Sequence, residues 1–167
     1  IRGVLDRDDA QIVFVDTPGI HKPRTLMGER LNVTASDALE DVDVACLVVD
    51  ATQTIGPGDR YIAERLPKDS VLVLNKIDRV RPPRVLEQLA RAAEFDFSEY
   101  FPVSARTGEG VDTFVEHLIS RLPEGPRWYP EGEVTDVPEQ VRVAELVREQ
   151  LLAVAREELP HSIATRV

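Results

Sequence analysis

Long apolar runs are missing from this 167-residue sequence: no segment approaches the roughly 18 consecutive apolar residues that a membrane-spanning helix needs. No secretory signal is visible either, because Ile1 and Arg2 lead directly into polar sequence. The single cysteine, Cys46, excludes an internal disulfide, and its place in the apolar run "VACLVVD" predicts a small core residue. We therefore expect a globular protein in a reducing, cytoplasmic setting.

Positive charge is also scarce. The chain has 20 Lys and Arg residues against 30 Asp and Glu residues, a formal net charge of -10. Sequence-independent affinity for nucleic acid comes from clustered Lys and Arg, so this balance argues against a nucleic-acid-binding surface spread over the chain. Any contact with nucleic acid is expected to be local, or to lie on residues that this sequence does not contain.

Short apolar runs rich in β-branched residues alternate with stretches of helical length. The runs lie at residues 1–5, 10–16, 42–50, 70–75 and 100–104, and the candidate helices at 27–40, 58–66, 82–94 and 110–122. Continuous hydrophobicity, as in "VACLVV" and "VLVL", is typical of parallel strands that are covered on both faces. The alternation predicts an α/β fold built on a doubly wound, mostly parallel sheet.

The character of the sequence changes after residue 122. Residues 123–138 hold four prolines and two glycines without periodicity, which is typical of a linker. A helix is predicted to follow, with Asp136 as its cap, Pro138 in its first turn and Glu139 completing a capping box. Its apolar stripe, Val143, Val147, Leu151 and Val154, predicts one buried face. This helix and the strand that follows it are expected to begin a second domain.

Three of the apolar runs end in polar clusters: "DTPG" (16–19), "NKID" (75–78) and "SARTG" (104–108). In a doubly wound sheet ligands gather at the carboxyl ends of the strands, so these clusters are expected along one rim. Each cluster alone is also an ordinary turn signal. Their occurrence together, in this order and each at a strand end, favours a functional site.

The chemistry of the second and third clusters points to guanine. The Asp78 carboxylate offers two acceptor oxygens to the N1–H and the 2-amino group of guanine, and adenine presents neither donor. Asn75 can tie its loop to neighbouring loops and reach the purine N7, while the Lys76 stem can lie across the base plane. The Ala105 backbone N–H can donate to guanine O6. A bidentate site of this kind discriminates by about 10⁴-fold or more.

The order DxxG, NKxD, SAxxG resembles the guanine-nucleotide-binding loops of P-loop GTPases. Two further stretches are similar to Era, the ribosome-assembly GTPase: "DTPGIHKPRTLMGERLN" resembles its switch region, and "YPEGEVTDVPEQVRVAELVREQLLAVAREELPHSIATRV" resembles its linker and the first helix and strand of its KH domain. The resemblance covers essentially the whole chain. Sister GTPases such as Der and MnmE share the loops but not the "TDxPE…REELPHS" segment.

The resemblance implies GTP or GDP and Mg²⁺ as ligands. Asp16 would reach Mg²⁺ through a water molecule, and the Gly19 N–H would sense the γ-phosphate, which makes these two the catalytic candidates. Ile20 stands where many related GTPases carry a water-orienting glutamine, so slow intrinsic hydrolysis is expected. The implied nucleotide-binding set comprises Asp16, Thr17, Pro18, Gly19, Ile20, Asn75, Lys76, Ile77, Asp78, Ser104 and Ala105.

The departures from the family are absences. No G-x-x-x-x-G-K-[ST] occurs, and the switch I threonine is not found, so we expect the first strand and the P-loop of the GTPase sheet on residues before Ile1. The G-x-x-G loop of the KH domain would lie beyond Val167. The three histidines, His21, His117 and His161, are expected to be solvated or structural.

The resemblance implies a GTPase domain over residues 1–122, a linker over 123–138 and the start of an α+β KH domain over 139–167. The implied function is GTP hydrolysis coupled to 16S rRNA and the 30S subunit in ribosome biogenesis, with the 167 residues alone expected to be inactive. The expected location is the cytoplasm with a peripheral membrane contact, and no obligate oligomer is expected. Two alternatives stay open: a non-catalytic guanine-nucleotide-binding or scaffold module, and another GTPase of the Der and MnmE group.

Overall fold

The computed structural model describes residues 2–17, 39 and 42–154. The predicted helix at 27–40 therefore lies outside the described residues except for Leu39, which is helical. Contacts divide the chain into two units: Ile1–Asp16 with Arg127–Val167, and Thr17–Pro126. Each unit is described by itself below.

The described strands and helices follow the predicted order. The strands are β1 (Arg2–Asp6), β2 (Gln11–Val15), β3 (Cys46–Asp50), β4 (Val71–Asn75) and β5 (Glu99–Pro102). The helices are α1 (Pro57–Ala63), α2 (Pro82–Ala92), α3 (Val111–Arg121) and α4 (Glu139–Val154), with short 3-10 turns at Ile77–Arg79 and Ala93–Phe95. Within the described part of the chain, no helix is long and apolar enough to cross a membrane.

Unit Thr17–Pro126 is built on a parallel three-stranded sheet of order β3-β4-β5. The central strand β4 is buried on both faces. Leu72 and Leu74 pack with Leu47, Val49 and residues of α1 and α2 on one face, and Val71 and Val73 pack with Val103, Val111 and Phe114 on the other. Helices on both faces of a parallel sheet are what the alternation of the sequence predicted, so the α/β fold class is confirmed.

Strand β3 departs from the prediction. Leu47 and Val49 are buried, but Cys46 is exposed and Val48 is 61% exposed. The prediction that Cys46 is a core residue is therefore wrong, because within the described residues β3 is an edge strand with one open face. Surrounding atoms still desolvate the thiol partly, which raises the pKa of Cys46 to about 11 and makes it a weak nucleophile at neutral pH.

The other unit contains the antiparallel hairpin β1–β2, whose register pairs Arg2 with Val15 and Asp6 with Gln11. Residues 127–136, called the docked segment from here on, pack along this hairpin. The Val4 N–H donates to the Val134 carbonyl at 2.9 Å, and Gly3 forms an isolated antiparallel bridge with Thr135. Much of the stretch predicted as a linker is thus hydrogen-bonded to the hairpin.

Two side chains of the docked segment's interface carry most of its polar contacts. The Gln11 Oε1 atom accepts the N–H groups of Trp128 and Tyr129, each at 2.9 Å. The Arg127 guanidinium donates to Asp6 Oδ1 at 2.7 Å, and the Asp6 side chain is only 12% exposed. The Gln11 amide and the Arg127 guanidinium therefore hold the same end of the segment, the first through backbone N–H groups and the second through an ion pair.

Two predictions about helix α4, its N-terminal cap and its buried face, are wrong. It begins at Glu139, and the Asp136 carboxylate accepts the Arg2 N–H at 3.1 Å, so the predicted capping role of Asp136 is wrong. The predicted burial of the apolar stripe is also wrong for the described part: Val143 is 40%, Val147 45% and Leu151 47% exposed. The side chain of Val154 lies outside the described residues, and the predicted domain boundaries stay predictions.

Candidate functional site

The polar loops at the carboxyl ends of β3, β4 and β5 lie together in unit Thr17–Pro126. Asp50 is the last residue of β3 and pairs in register with Asn75, the last residue of β4. The loop after β5 contains the buried Ser104 and the exposed Ala105. Parallel strands end at one edge of the sheet, so the fold itself brings the "NKID" and "SARTG" loops together, as the sequence predicted.

Asn75 joins these two loops. Its Oδ1 atom accepts the Lys76 backbone N–H at 2.7 Å and the Ala105 backbone N–H at 3.0 Å. The structure thus contains the loop-to-loop tie expected of Asn75. It also shows that the Ala105 N–H is already engaged, so a donation to guanine O6 would share this N–H between two acceptors.

The Asp78 carboxylate is positioned by a hydrogen bond from the buried hydroxyl of Ser104. Ser104, which is fully buried, donates its Oγ–H to Asp78 Oδ1 at 2.7 Å and accepts the Thr107 N–H at 3.1 Å. The Asp78 residue itself is exposed, and among the described residues no contact is made to its Oδ2. A carboxylate oxygen has two lone pairs, so both Asp78 oxygens can accept donors from a ligand while Ser104 fixes their direction.

Lys76 has an unusual backbone for a residue with a side chain, with φ 66° and ψ 34° in the left-handed region. Its Nζ atom lies 2.7 Å from Asp50 Oδ2. Asp50 Oδ1 in turn accepts the backbone N–H of Thr52 at 2.8 Å and its hydroxyl at 2.7 Å. The hydrogen bond from Lys76, followed by those from Thr52, lowers the pKa of Asp50 to about 2.

Sequence reasoning missed Asp50 and Thr52 as parts of this site. The available signal was positional, because Asp50 ends an apolar run just as Asn75 does. Ile77, predicted as part of the nucleotide-binding set, is half-buried, packs against the core and donates its N–H to the Val103 carbonyl at 3.3 Å. It therefore shapes the loop through its backbone and its packing.

The first predicted cluster is described only in part. Asp16 follows β2 in unit Ile1–Asp16 with Arg127–Val167, where it is exposed, and Thr17 is half-buried. Pro18, Gly19 and Ile20 lie outside the described residues, as do His21 and His161. His117 is half-buried on α3 with its ring 4.9 Å from that of Phe101, which fits the structural role expected of it.

The donor chemistry of Asp16 fits Mg²⁺ as an outer ligand. Among the described residues, no group of three or more His, Cys, Asp or Glu side chains could enclose a metal ion. Mg²⁺ is commonly held by one or two carboxylates together with substrate phosphates and water rather than by a cage of protein ligands. A single exposed carboxylate such as Asp16 is what a site of that kind requires of the protein.

Comparison with known proteins agrees with this geometry. The family model described as the elongation factor Tu GTP-binding domain matches residues 4–124. The chain is 50% identical over 171 residues to GTPase Era of Mycobacterium avium (strain 104), an alignment that covers 98% of this chain and 57% of that protein. The chain thus spans a little over half the length of this relative.

Solved structures give the same result. A crystal structure of Era in complex with MgGDPNP and nucleotides 1506–1542 of 16S ribosomal RNA is similar with a TM-score of 0.79 and 34% identity, over 96% of this chain and 57% of that chain. An Aquifex aeolicus Era variant bound to GDP.AlF4- is similar with a TM-score of 0.77 and 33% identity, over 95% of this chain and 56% of that one. Both likenesses extend over nearly all of this chain.

Proposed function

The chain belongs to the family of the elongation factor Tu GTP-binding domain, and from this premise we propose that it carries the guanine-recognition part of an Era-type GTPase. The single observation that supports the proposal most is the pair of hydrogen bonds joining the two loops, Ser104 Oγ to Asp78 Oδ1 and Ala105 N to Asn75 Oδ1. These bonds orient one carboxylate and one amide at the same edge of the sheet. Relatives at about half identity are named GTPase Era, which favours this type over the Der and MnmE group.

In the proposed mechanism this edge of the sheet binds and orients the base. Asp78 accepts the N1–H and the 2-amino group of guanine, and its direction is fixed before the nucleotide arrives because Ser104 is buried beneath it. Asn75 keeps the loops in register while Lys76 covers the base plane. Preorganised acceptors of this kind cost little reorganisation on binding, so selectivity for guanine is strong.

We assign the phosphate side to the cluster after β2. Asp16 would hold Mg²⁺ through water and Gly19 would sense the γ-phosphate, in keeping with the MgGDPNP and GDP.AlF4- present in the related structures. Bound Mg²⁺ supplies charge neutralisation during phosphoryl transfer, in which catalysis is mainly positioning and electrostatics. Asp16 is exposed at the end of β2, which leaves its carboxylate accessible to a hydrated ion.

The wider role we propose is a switch in ribosome assembly. GTP hydrolysis would be coupled to binding of 16S rRNA and of the 30S subunit, since the related Era structure holds a segment of 16S ribosomal RNA. The formal net charge of -10 argues that such RNA contacts are local rather than spread over this chain. The proposed setting is the cytoplasm, with a peripheral contact at the inner face of the membrane.

Replacing Asp78 with Asn tests the proposal in the full-length protein. Asn presents an amide in place of one carboxylate oxygen, so it loses an acceptor for guanine and gains a donor that suits the additional carbonyl of xanthine. We expect D78N to weaken GDP binding by about 100-fold or more and to bind XDP more tightly than GDP. The measurement is competition of GDP and XDP against a fluorescent GDP analogue.

Asp112→Asn is the matched control, because Asp112 is an exposed carboxylate in the first turn of α3 and lies outside the two loops. We expect D112N to bind GDP as the unmodified protein does. GDP affinity that is the same in D78N, D112N and the unmodified protein would show that Asp78 does not read the base, and the proposed function would then fail.

A further inference from the structure

We propose that Asp50 is a positioning residue of the guanine site, which acts by holding the Lys76 side chain in place. This inference rests on the proposed function and concerns a residue outside the predicted loops. The contact that carries it is the 2.7 Å ion pair between Lys76 Nζ and Asp50 Oδ2. It places the one long, flexible side chain of the "NKID" loop under the control of the neighbouring strand.

The Asp50 carboxylate is itself held rigidly. Its Oδ1 atom accepts both the N–H and the hydroxyl of Thr52, which leaves Oδ2 for Lys76. Asp50 also stands opposite Asn75 in the parallel ladder, and the Ala51 N–H continues the ladder by donating to the Asn75 carbonyl at 2.8 Å. The position of the carboxylate is therefore fixed relative to the residue that precedes Lys76.

Lys76 needs such support because its backbone is in the left-handed region, which residues with a Cβ rarely occupy. Two contacts offset this strain. Asn75 Oδ1 accepts the Lys76 backbone N–H, and Asp50 binds the ammonium group at the tip of the Lys76 side chain. Because the backbone and the ammonium group of Lys76 are both held, the four-carbon stem between them is ordered before a base reaches it. This removes an entropic cost of binding.

The simplest competing explanation is an ordinary surface ion pair, since such pairs contribute little by themselves. The chain offers a direct comparison in the pair between Arg60 and Glu94, at 2.9 Å with side chains 50% and 65% exposed. The Lys76 and Asp50 side chains are 46% and 27% exposed. Asp50 differs from Glu94 in being anchored by Thr52 on its other oxygen.

Asp50→Asn in the full-length protein isolates the proposed contact. The Asn Oδ1 atom can still accept from Thr52, whereas its Nδ2 atom cannot accept from Lys76. We expect GDP and XDP to bind about three- to fivefold more weakly, and by the same factor, because the stem covers the purine face and does not read its edge. The kcat for GTP hydrolysis should be unchanged, with the loss confined to Kd and KM.

Three further variants complete the experiment. Glu94→Gln should leave nucleotide affinity unchanged. Thr52→Val keeps the charge of Asp50 but removes the hydroxyl that helps to hold its carboxylate. We therefore expect about a twofold loss of GDP affinity. This milder variant replaces D50N in the experiment if D50N folds poorly. Lys76→Met keeps an unbranched apolar stem without the ammonium, so adding D50N to K76M should weaken binding no further.

The outcomes separate the inference from the proposed function. If D78N changes the preference between GDP and XDP while D50N binds both nucleotides as E94Q does, the role of Asp50 is overturned and the guanine site stands. Additive losses in the D50N/K76M double variant would also overturn it, since Asp50 would then act by another route. A D78N variant that keeps its preference for GDP would instead overturn the proposed function.

Discussion

Hydrogen bonds rather than packing fix the individual residues of the candidate site. Ser104 is a buried hydroxyl that is satisfied both as donor, by Asp78, and as acceptor, by the Thr107 N–H. A buried polar group left without a partner is costly, so the Ser104 hydroxyl and the Asp78 carboxylate stabilise each other's positions. The exposed Asp78 carboxylate is therefore held in a fixed direction by the buried Ser104 side chain.

The ion pair between Asp50 and Lys76 is expected to be insensitive to pH over the range in which the protein works. Lys76 and Thr52 lower the pKa of Asp50 from 3.8 to about 2. The contribution of a carboxylate whose pKa is lowered is complete above its ordinary pKa and is lost as pH falls through the lowered value. The ratio of GDP affinities between D50N and the unmodified protein should thus be constant from about pH 5 to pH 8.

Added salt should bring the two GDP affinities closer together, because both side chains are partly exposed and their attraction in the unmodified protein is screened. The measurement is the GDP affinity of D50N and of the unmodified protein, titrated in parallel at several pH values and salt concentrations, with E94Q as control. A ratio that moved more than twofold within this pH range would mean that a group other than Asp50 sets the Lys76 contact.

Sequence reasoning found Asn75, Asp78 and Ser104 because each stands at a fixed place in a loop that follows an apolar strand. It did not find Asp50, since an Asp followed by Thr two residues later is equally typical of a plain turn in which the carboxylate caps the backbone. That turn is present. What the sequence could not show is that the second oxygen of Asp50 meets a lysine 26 residues away.

Among the secondary-structure elements, β3 and β4 show what hydrophobic patterns can and cannot predict. Both are continuous apolar runs, and both form parallel strands. Strand β4 is buried on both faces because it lies between two strands and between layers of helices, while Val48 of β3 is 61% exposed. The run predicts a strand, and the neighbours, which lie far away in sequence, decide how much of it is covered.

The loop leading into α3 depends on one glycine. Gly110 has φ 74°, and a Cβ there would collide with the Pro102 carbonyl oxygen. We expect Gly110→Ala to lower the free energy of unfolding by about 2 kcal/mol or more, because the added methyl group meets a strained backbone and a fixed carbonyl together. Urea denaturation measures the change, and weaker GDP binding should accompany it since Ser104 belongs to the same loop.

Two other glycines separate these causes. Gly108 has φ 85° but open space where a Cβ would lie, so Gly108→Ala should cost only the backbone term of about 1–2 kcal/mol. Gly125 has neither constraint, and Gly125→Ala should stay within about 0.5 kcal/mol of the unmodified protein. Equal losses in G110A and G108A would show that the Pro102 carbonyl yields without cost.

For the molecule as a whole, the alternation of apolar runs and helical stretches predicted the α/β class correctly, whereas composition gave no sign of the contacts that residues 127–136 make. Four prolines and two glycines in residues 123–138 are typical of a linker. The docked segment nevertheless lies along the β1–β2 hairpin through backbone groups, such as the Val134 carbonyl, and through Gln11, which is more than a hundred positions away in sequence. Backbone pairing of this kind leaves no mark on composition, because any residue except proline can donate.

The division of the chain into two units leads to a test on the whole molecule. Arg127 binds the largely buried Asp6 carboxylate at 2.7 Å, so Arg127→Ala removes the ion pair that closes the docked segment onto the hairpin. Hydrogen exchange should then be about 5- to 30-fold faster at the Val4, Trp128 and Tyr129 amides, the effect of losing about 1–2 kcal/mol of local stability. Asp9→Asn, which removes an exposed carboxylate of the same hairpin turn, should change these amides little.

The amides of β4 decide whether the units open separately. Strand β4 forms the buried centre of the other unit, and none of its residues is among the hydrogen-bond partners of Arg127 or Gln11. Their exchange should therefore be unchanged in R127A if each unit opens by itself. Equal acceleration at β4 would mean that both units open in one cooperative step, and the docked segment would then contribute to the stability of the sheet that carries the guanine site.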